Sequence, residues 1–480
     1  MNQDKTFLGT EPIGKLLRQL AVPTVIAQLV NMLYNIVDRI YIGHIPGNGD
    51  LALTGVGVCL PLILIVSAFA ALVASGGAPR ASIYMGKQDH ATAEKILGGC
   101  FALQLIVSAV LTAVLLLWNR PLLLTFGASG NTIDYAAAYM SVYAIGTVFV
   151  QLTLGMNAFI TAQGFAQIGM RTVLIGAVAN IVLDPLFIFA LNMGVRGAAL
   201  ATIISQCLSC VWVLRFLTGP KTMLRLKKEN IRIAPALVLP CVALGSATFI
   251  MQASESVISM CFNSSLLKYG GDIAVGAMTI LSSVMQFAML PLQGIGQGAQ
   301  PIISYNYGAR NTERVRRTFW LLLRVSLCYS VLLWAIIQLF PGVFARMFTP
   351  KAELIDFTVT ALRIYCGALF LFGIQIACQM TFVSIGSAVC SIIVAVLRKF
   401  VLLLPLIYLL PALLPDQTTA VSISLGIASI TKIETGRTGY SKTIRVPMTA
   451  RNRLLFGNPE EIHAAEQFNQ QPHTARIEAD

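Results

Sequence analysis

A chain of 480 residues is long enough for several soluble domains, but 56% of it is apolar and only 11% is charged, with a mean hydropathy of +0.74. That balance excludes a water-soluble protein and points to lipid as the solvent. Nearly uncharged stretches of about 20 residues recur along almost the whole sequence, enough for a helix to cross a hydrocarbon core of roughly 30 Å. Backbone polar groups in lipid must be paired within each helix, and runs such as 56–75 and 318–340 are too long and too continuously apolar for barrel strands. The fold class is therefore an all-α membrane protein. The net charge of +13 does not indicate nucleic acid, because the basic residues are scattered between apolar segments without an interleaved aromatic module.

In chain order, Met1 to Thr10 is polar and carries no cleavable leader, so the first apolar helix is expected to stay. Spans are predicted over 16–43, 51–77, 94–118, 135–162, 169–191 and 195–217, then, after a basic loop, over 236–262, 274–300, 318–341, 358–384 and 389–412. Loops on the side of the N-terminus hold 16 Lys and Arg, from Lys5 to Arg317. The opposite loops hold 5: Arg120, Arg196, Lys268, Arg346 and Lys351. The excess places the N-terminus in the cytoplasm.

The two halves repeat each other. Leu20, Pro23 and Asp38 match Leu237, Pro240 and Glu255 at an offset of 217 residues. Further on, Gly49, Asp50, Ala52, Gly76, Pro79, Ser82 and Gly86 match Gly271, Asp272, Ala274, Gly298, Pro301, Ser304 and Gly308 at an offset of 222. Two parallel six-helix repeats imply a twelve-helix architecture with the pathway between the halves. The expected division is an N-lobe over 1–218, a basic cytoplasmic linker over 219–232, a C-lobe over 233–415 and an atypical, disordered polar tail over 416–480. The twelfth helix is missing or replaced: 418–430 is moderately apolar and too short to span. A frameshift or fusion accounts for this tail, as does a genuine cytoplasmic extension of a shortened transporter.

Of 21 Asp and Glu residues, only Asp38, Asp184 and Glu255 fall deep in predicted spans. A carboxylate there costs at least about 2.5 kcal/mol, so it faces a cavity or a partner. Gln28, Asn31, Asn35 and Asp38 share one face of the first span, a face poorly suited to lipid. Asn180 and Asp184 lie one turn apart in the fifth, and Pro185 removes a backbone donor next to them. Carboxylates and amide oxygens suit a hard cation, and two acids in one pocket suit a shared proton equally well. In the second half Gln252, Gln286, Gln293, Gln375 and Gln379, with Met289, are candidates for an adaptable cavity lining, although helix-to-helix bonding explains each of them individually as well. Ten cysteines lie mostly in apolar helices, and the Cys207-x-x-Cys210 pair has no second ligand pair, so no metal site beyond sodium is expected. There is no nucleotide loop, nucleophile elbow or catalytic histidine, so the chain is not expected to be an enzyme.

Three segments carry a family likeness: Val37-Asp38-Arg39-Ile40-Tyr41-Ile42-Gly43, Ala179-Asn180-Ile181-Val182-Leu183-Asp184-Pro185, and Gly194-Val195-Arg196-Gly197-Ala198-Ala199 leading to Thr202. With them, residues 7 to 415 resemble the multidrug and toxin extrusion (MATE) family, in its bacterial branch of MepA- and DinF-like transporters. The resemblance implies an N-lobe cation site made by Asp38, Asn180, Asp184 and Thr202, with Glu255 as a second acidic site. It also implies a rocker-switch antiporter that exports amphipathic organic cations against sodium or protons. The remaining readings are a lipid-linked sugar flippase of related fold and an inactive truncated membrane protein. No cofactor is expected beyond the coupling ion. The expected partners are the lipid bilayer and small organic cations, for a monomer in the bacterial cytoplasmic membrane.

Overall fold

The computed structural model describes residues 6–46, 49–348, 352–367, 369–387 and 392, with backbone alone at 255–279, 347–348, 352–354, 357 and 364. All regular structure among them is helical. The helices are α1 (Phe7–Thr10), α2 (Ile13–Gly43), α3 (Gly49–Gly86), α4 (His90–Leu117), α5 (Asn119–Thr125), α6 (Ile133–Ile145) and α7 (Thr147–Ala162). They continue as α8 (Ala166–Pro185), α9 (Val195–Thr218), α10 (Pro235–Gly308), α11 (Thr312–Leu339), α12 (Pro341–Phe348), α13 (Ala352–Tyr365) and α14 (Phe372–Ser384). Among the described residues seven helices are long and apolar enough to cross a membrane, and the bent pair α6–α7 supplies an eighth. The chain is a multi-pass membrane protein. The span expected at 389–412 and the tail at 416–480, with the question of a twelfth helix, lie outside the described residues apart from 392.

Several predicted spans take a different form. The stretch 135–162, read as one helix, bends by 57° between α6 and α7. The bend falls at Gly146, where a Cβ would stand 2.3 Å from the Ile203 side chain of α9; the missing side chain lets the kinked segment seat against its neighbour. The stretch predicted as spans at 236–262 and 274–300 is one hydrogen-bonded helix of 74 residues, α10. A straight helix of that length would measure about 110 Å. Yet Gly76 of α3 lies against Cys241, and Gly86, about 15 Å further along α3, lies against Tyr305. Both ends of α10 therefore pack on α3 within about 15 Å of each other, which requires α10 to double back between them. Two limbs are therefore present, as the two predicted spans require.

The internal repeat is visible as paired contacts. A Cβ at Gly86 would stand 1.9 Å from the Tyr305 carbonyl oxygen, and a Cβ at Gly308 would stand 1.9 Å from that of Ile83. Each contact is the other's counterpart at an offset of 222 residues. The same offset relates two N-caps: Asp89 accepts from the Thr92 N–H at 2.9 Å, and Asn311 accepts from the Arg314 N–H at 3.1 Å. It also relates the buried faces of α4 and α11, with Ile96, Leu97 and Cys100 answered by Thr318, Phe319 and Leu322, all inaccessible or nearly so.

The core explains the shape. One apolar cluster gathers residues of both repeats, from Leu16, Leu20 and Met85 to Cys241, Ile302 and Phe319. Two further clusters stay within single repeats, one around Val56, Leu62 and Tyr139, the other around Leu281, Leu292 and Leu362. The halves are thus fused at the end carrying the N-terminus and part towards the other end, as a V.

Side chains tie the chain segments to that fused end. The buried Gln163 carboxamide oxygen accepts three bonds at 2.8 Å, from the Thr222 hydroxyl and the N–H groups of Met223 and Leu224. Arg314 donates to the carbonyls of Leu8 at 3.4 Å and Glu11 at 2.7 Å, and Asn306 donates to Leu8 at 3.0 Å, strapping α1 onto the second repeat. Substituting Gln163→Leu would leave the Met223 and Leu224 N–H groups without their acceptor, while the Thr222 hydroxyl keeps the Leu224 carbonyl at 2.9 Å, at a cost of about 1–3 kcal/mol per group that stays unsatisfied. The expected outcome is a lower melting midpoint and faster tryptic cleavage between Lys221 and Lys228; unchanged cleavage would show that the clamp does not hold the segment.

Candidate functional site

Within the first repeat, α2 contributes Asp38, α8 contributes Asn180 and Asp184, and α9 contributes Thr202. Asn180 and Asp184 are placed on one face of α8 by their four-residue spacing, and the Asn180 Nδ2 donates to Asp184 Oδ1 at 3.2 Å. Asp184 is 0% exposed and Asn180 2%. The carboxyl groups of Asp38 and Asp184, from helices separated by most of the repeat, come within hydrogen-bonding reach of each other. Beyond Asp184 the helix passes into a π-helical turn over Leu186–Ala190. Pro185 cannot donate to the carbonyl one turn back, and the wider turn takes up the disruption beside the acid.

The set fits a small hard cation or a proton. Asp38 Oδ1, Asn180 Oδ1 and Asp184 Oδ2 are each buried with no hydrogen-bond donor, so three oxygens of these neighbouring side chains keep unused lone pairs. Two carboxylates this close in a weakly polar environment repel strongly unless a proton or a cation lies between them. Among the described residues no group of three or more His, Cys, Asp and Glu forms a transition-metal cluster. Oxygen donors alone favour sodium-like ions.

Three tyrosines complete the surroundings, and the sequence reading did not single them out. Tyr34 lies one turn before Asp38 on α2, within electrostatic reach of both acids. Tyr139 of α6, 3% exposed, meets the Thr202 hydroxyl and lies near Asp38. Thr202 itself donates to the Ala198 carbonyl at 3.1 Å. Tyr143 stacks on Tyr139 with ring centroids 6.2 Å apart. The four-residue spacings of Tyr34 with Asp38 and of Tyr139 with Tyr143 were the available signal.

The other candidates separate. The side chain of Glu255 lies outside the described residues. Asn31, Asn35, Gln252 and Gln286 are exposed, Met289 and Gln293 half-buried. Gln28 donates to Gln297 at 3.2 Å and so joins α2 to α10. Gln379 reaches Met251 at 2.6 Å, joining α14 to α10. Gln375 is 6% exposed and packed among its neighbours, so it presents no surface to a cavity.

A family model, MatE, matches residues 23–186 and 247–409. The chain belongs to the MATE family. The two matched segments fall one in each repeat, so the family pattern is present twice. Among curated relatives, the MATE chain is 23% identical over 375 residues to the multidrug export protein MepA of Staphylococcus haemolyticus, covering 78% of this chain and 82% of that one. It is 22% identical over 412 residues to MepA of Staphylococcus aureus, covering 85% and 89%. Among solved structures it superposes on an outward-facing multidrug resistance MATE transporter with a TM-score of 0.84 at 23% identity, covering 93% of this chain and 100% of that one. A transporter from Pyrococcus furiosus, described as having a binding pocket of reversed polarity, gives the same score, identity and coverage. These likenesses establish the fold.

Proposed function

We propose that this MATE transporter is a cation-coupled antiporter that exports amphipathic organic cations, with sodium or protons moving inward through the Asp38, Asn180, Asp184 and Thr202 site. The observation that carries the reading is the paired acids, Asp184 fully buried and Asp38 half-buried, with three buried oxygens lacking donors, a ready acceptor for one small positive charge. The multidrug export activity named for the staphylococcal relatives supports the choice of cargo. In a rocker-switch cycle the V opens alternately to either side. The ion drives it only by binding one state more tightly than the other, and a site built from α2, α6, α8 and α9 changes shape when those helices move. The reading further places the chain in the cytoplasmic membrane as a monomer, N-terminus inside, with no cofactor other than the coupling ion.

The test is dye movement in proteoliposomes. Ethidium flux should follow an imposed sodium or proton gradient and collapse when that gradient is dissipated. Folded protein that moves no cationic dye under either gradient would sink the antiport reading.

A further inference from the structure

The repeats diverge sharply on one matched helix face. On α4, Glu94 pairs with Lys227 at 2.7 Å and accepts from the Arg225 N–H at 3.2 Å. The connecting segment then passes so close that a Cβ at Gly98 would stand 2.2 Å from the Asn230 carbonyl oxygen. The 222-residue offset places Arg316 at the position of Glu94, Trp320 at that of Gly98 and Arg324 at that of Ala102. An indole therefore stands where the first repeat has the glycine that lets backbone approach, and the sign of the charge is reversed.

The consequence is a groove of about 400 Å3 on α11, lined by Glu313, Arg316, Arg317, Trp320, Leu321 and Arg324. All three arginines are exposed. Glu313, the one carboxylate among these lining residues, is already engaged by Arg317 at 2.7 Å. The groove lies at the end of the bundle where Arg314 straps the N-terminal turn, the end with the basic loops. At 28 residues, α11 is about 42 Å long, and about 20 residues suffice to cross the hydrocarbon, so roughly two turns stand clear of it. That depth puts Trp320 at the boundary where indoles settle. Arg324 starts one turn deeper, where a guanidinium needs an anion or a route back to the headgroups.

We propose that this groove binds the headgroup phosphate of an anionic phospholipid, Arg316 and Arg324 holding the phosphate and Trp320 packing against the glycerol and upper acyl chain. Planar guanidinium forks match phosphate oxygens in pairs. The site is independent of the cation site in the first repeat and of the export reading.

The full chain with Trp118, Trp212 and Trp334 replaced by Phe keeps Trp320 as the sole indole, and its melting curve checks that it folds. Reconstituted into phosphatidylcholine bilayers, Trp320 fluorescence should be quenched by brominated phosphatidylglycerol at much lower mole fraction than by brominated phosphatidylcholine. Each of Arg316→Gln and Arg324→Gln should weaken that preference about fivefold, whereas Arg324→Lys should retain part of it and Arg196→Gln, at the opposite end, all of it. Equal quenching by the two lipids, or a preference undiminished when Arg316 and Arg324 are both Gln, would overturn the assignment. So would a preference that emerges only after deletion of 431–480, which would make the chain's own tail the occupant. Displacement of the brominated lipid by inorganic phosphate would overturn it equally, in favour of a free-anion site.

Discussion

Asp184→Asn should reduce gradient-driven dye export by roughly 5- to 150-fold, the range of a coupling free energy of 1–3 kcal/mol, with membrane abundance unchanged. The reason is electrostatic. Asp184 is fully buried, its carboxyl reaches that of Asp38, and one of its oxygens has no donor. The asparagine keeps the shape but removes the negative charge that a cation or proton would neutralise. Asp38→Asn should give a similar loss, and the double variant should be little worse than either, because the two acids act as one acceptor and their effects do not add. Stability should not fall with activity, since each substitution removes a buried charge and relieves repulsion; melting curves of the variants separate loss of coupling from loss of fold. Tyr139→Phe, which removes the hydroxyl meeting Thr202, should cost less, because the acids keep their positions. Export that survives both single substitutions would remove the site from the mechanism, whatever its geometry.

The acids were legible in the sequence because a carboxylate inside an apolar span is costly and must face a cavity or a partner. The tyrosines were not, because a tyrosine in a membrane helix is ordinary: Tyr34 sits one turn from Asp38 on α2, but only tertiary packing brings Tyr139 to the site. The repeat was legible for a similar reason: glycines and prolines at fixed offsets constrain backbone, and the Gly86 and Gly308 contacts show what those positions serve. Local pattern did not reveal the bend at Gly146, which depends on Ile203 of another helix. Glutamines were the weakest signal. Gln28, Gln375 and Gln379 looked alike on helical faces, yet one bridges the halves, one is packed away and one meets a methionine. An amide satisfies itself against any polar neighbour, so its spacing says little about which neighbour it finds.

The closed end of the V makes the second large prediction. At Gly86 and Gly308 the obstacle to a side chain is a backbone carbonyl, at 1.9 Å in each case. A side-chain tip can rotate aside, whereas a carbonyl moves only with its helix. Gly86→Val and Gly308→Val should therefore each force α3 and the second limb of α10 apart. The overpacking cost is about 1–3 kcal/mol, similar at the two sites because each contact is the repeat image of the other. Once the helices are separated, the second substitution meets less resistance, so the double variant should fall short of the sum. Gly57→Ala is the control, because a Cβ there meets nothing within 4 Å and the gain in helix propensity is up to about 1 kcal/mol. Accessibility supplies a readout: Cys100 and Cys241 are 0% exposed in the apolar cluster shared by both repeats, at Gly76 and Gly77, about 15 Å along α3 from this junction. Maleimide labelling of those two thiols, located by peptide mass, should rise in both glycine variants and stay at the parent level in the control. Unchanged labelling with a lowered melting midpoint would mean that the helices absorb the clash within one repeat, and that the paired glycines set stability without setting the closure between the halves.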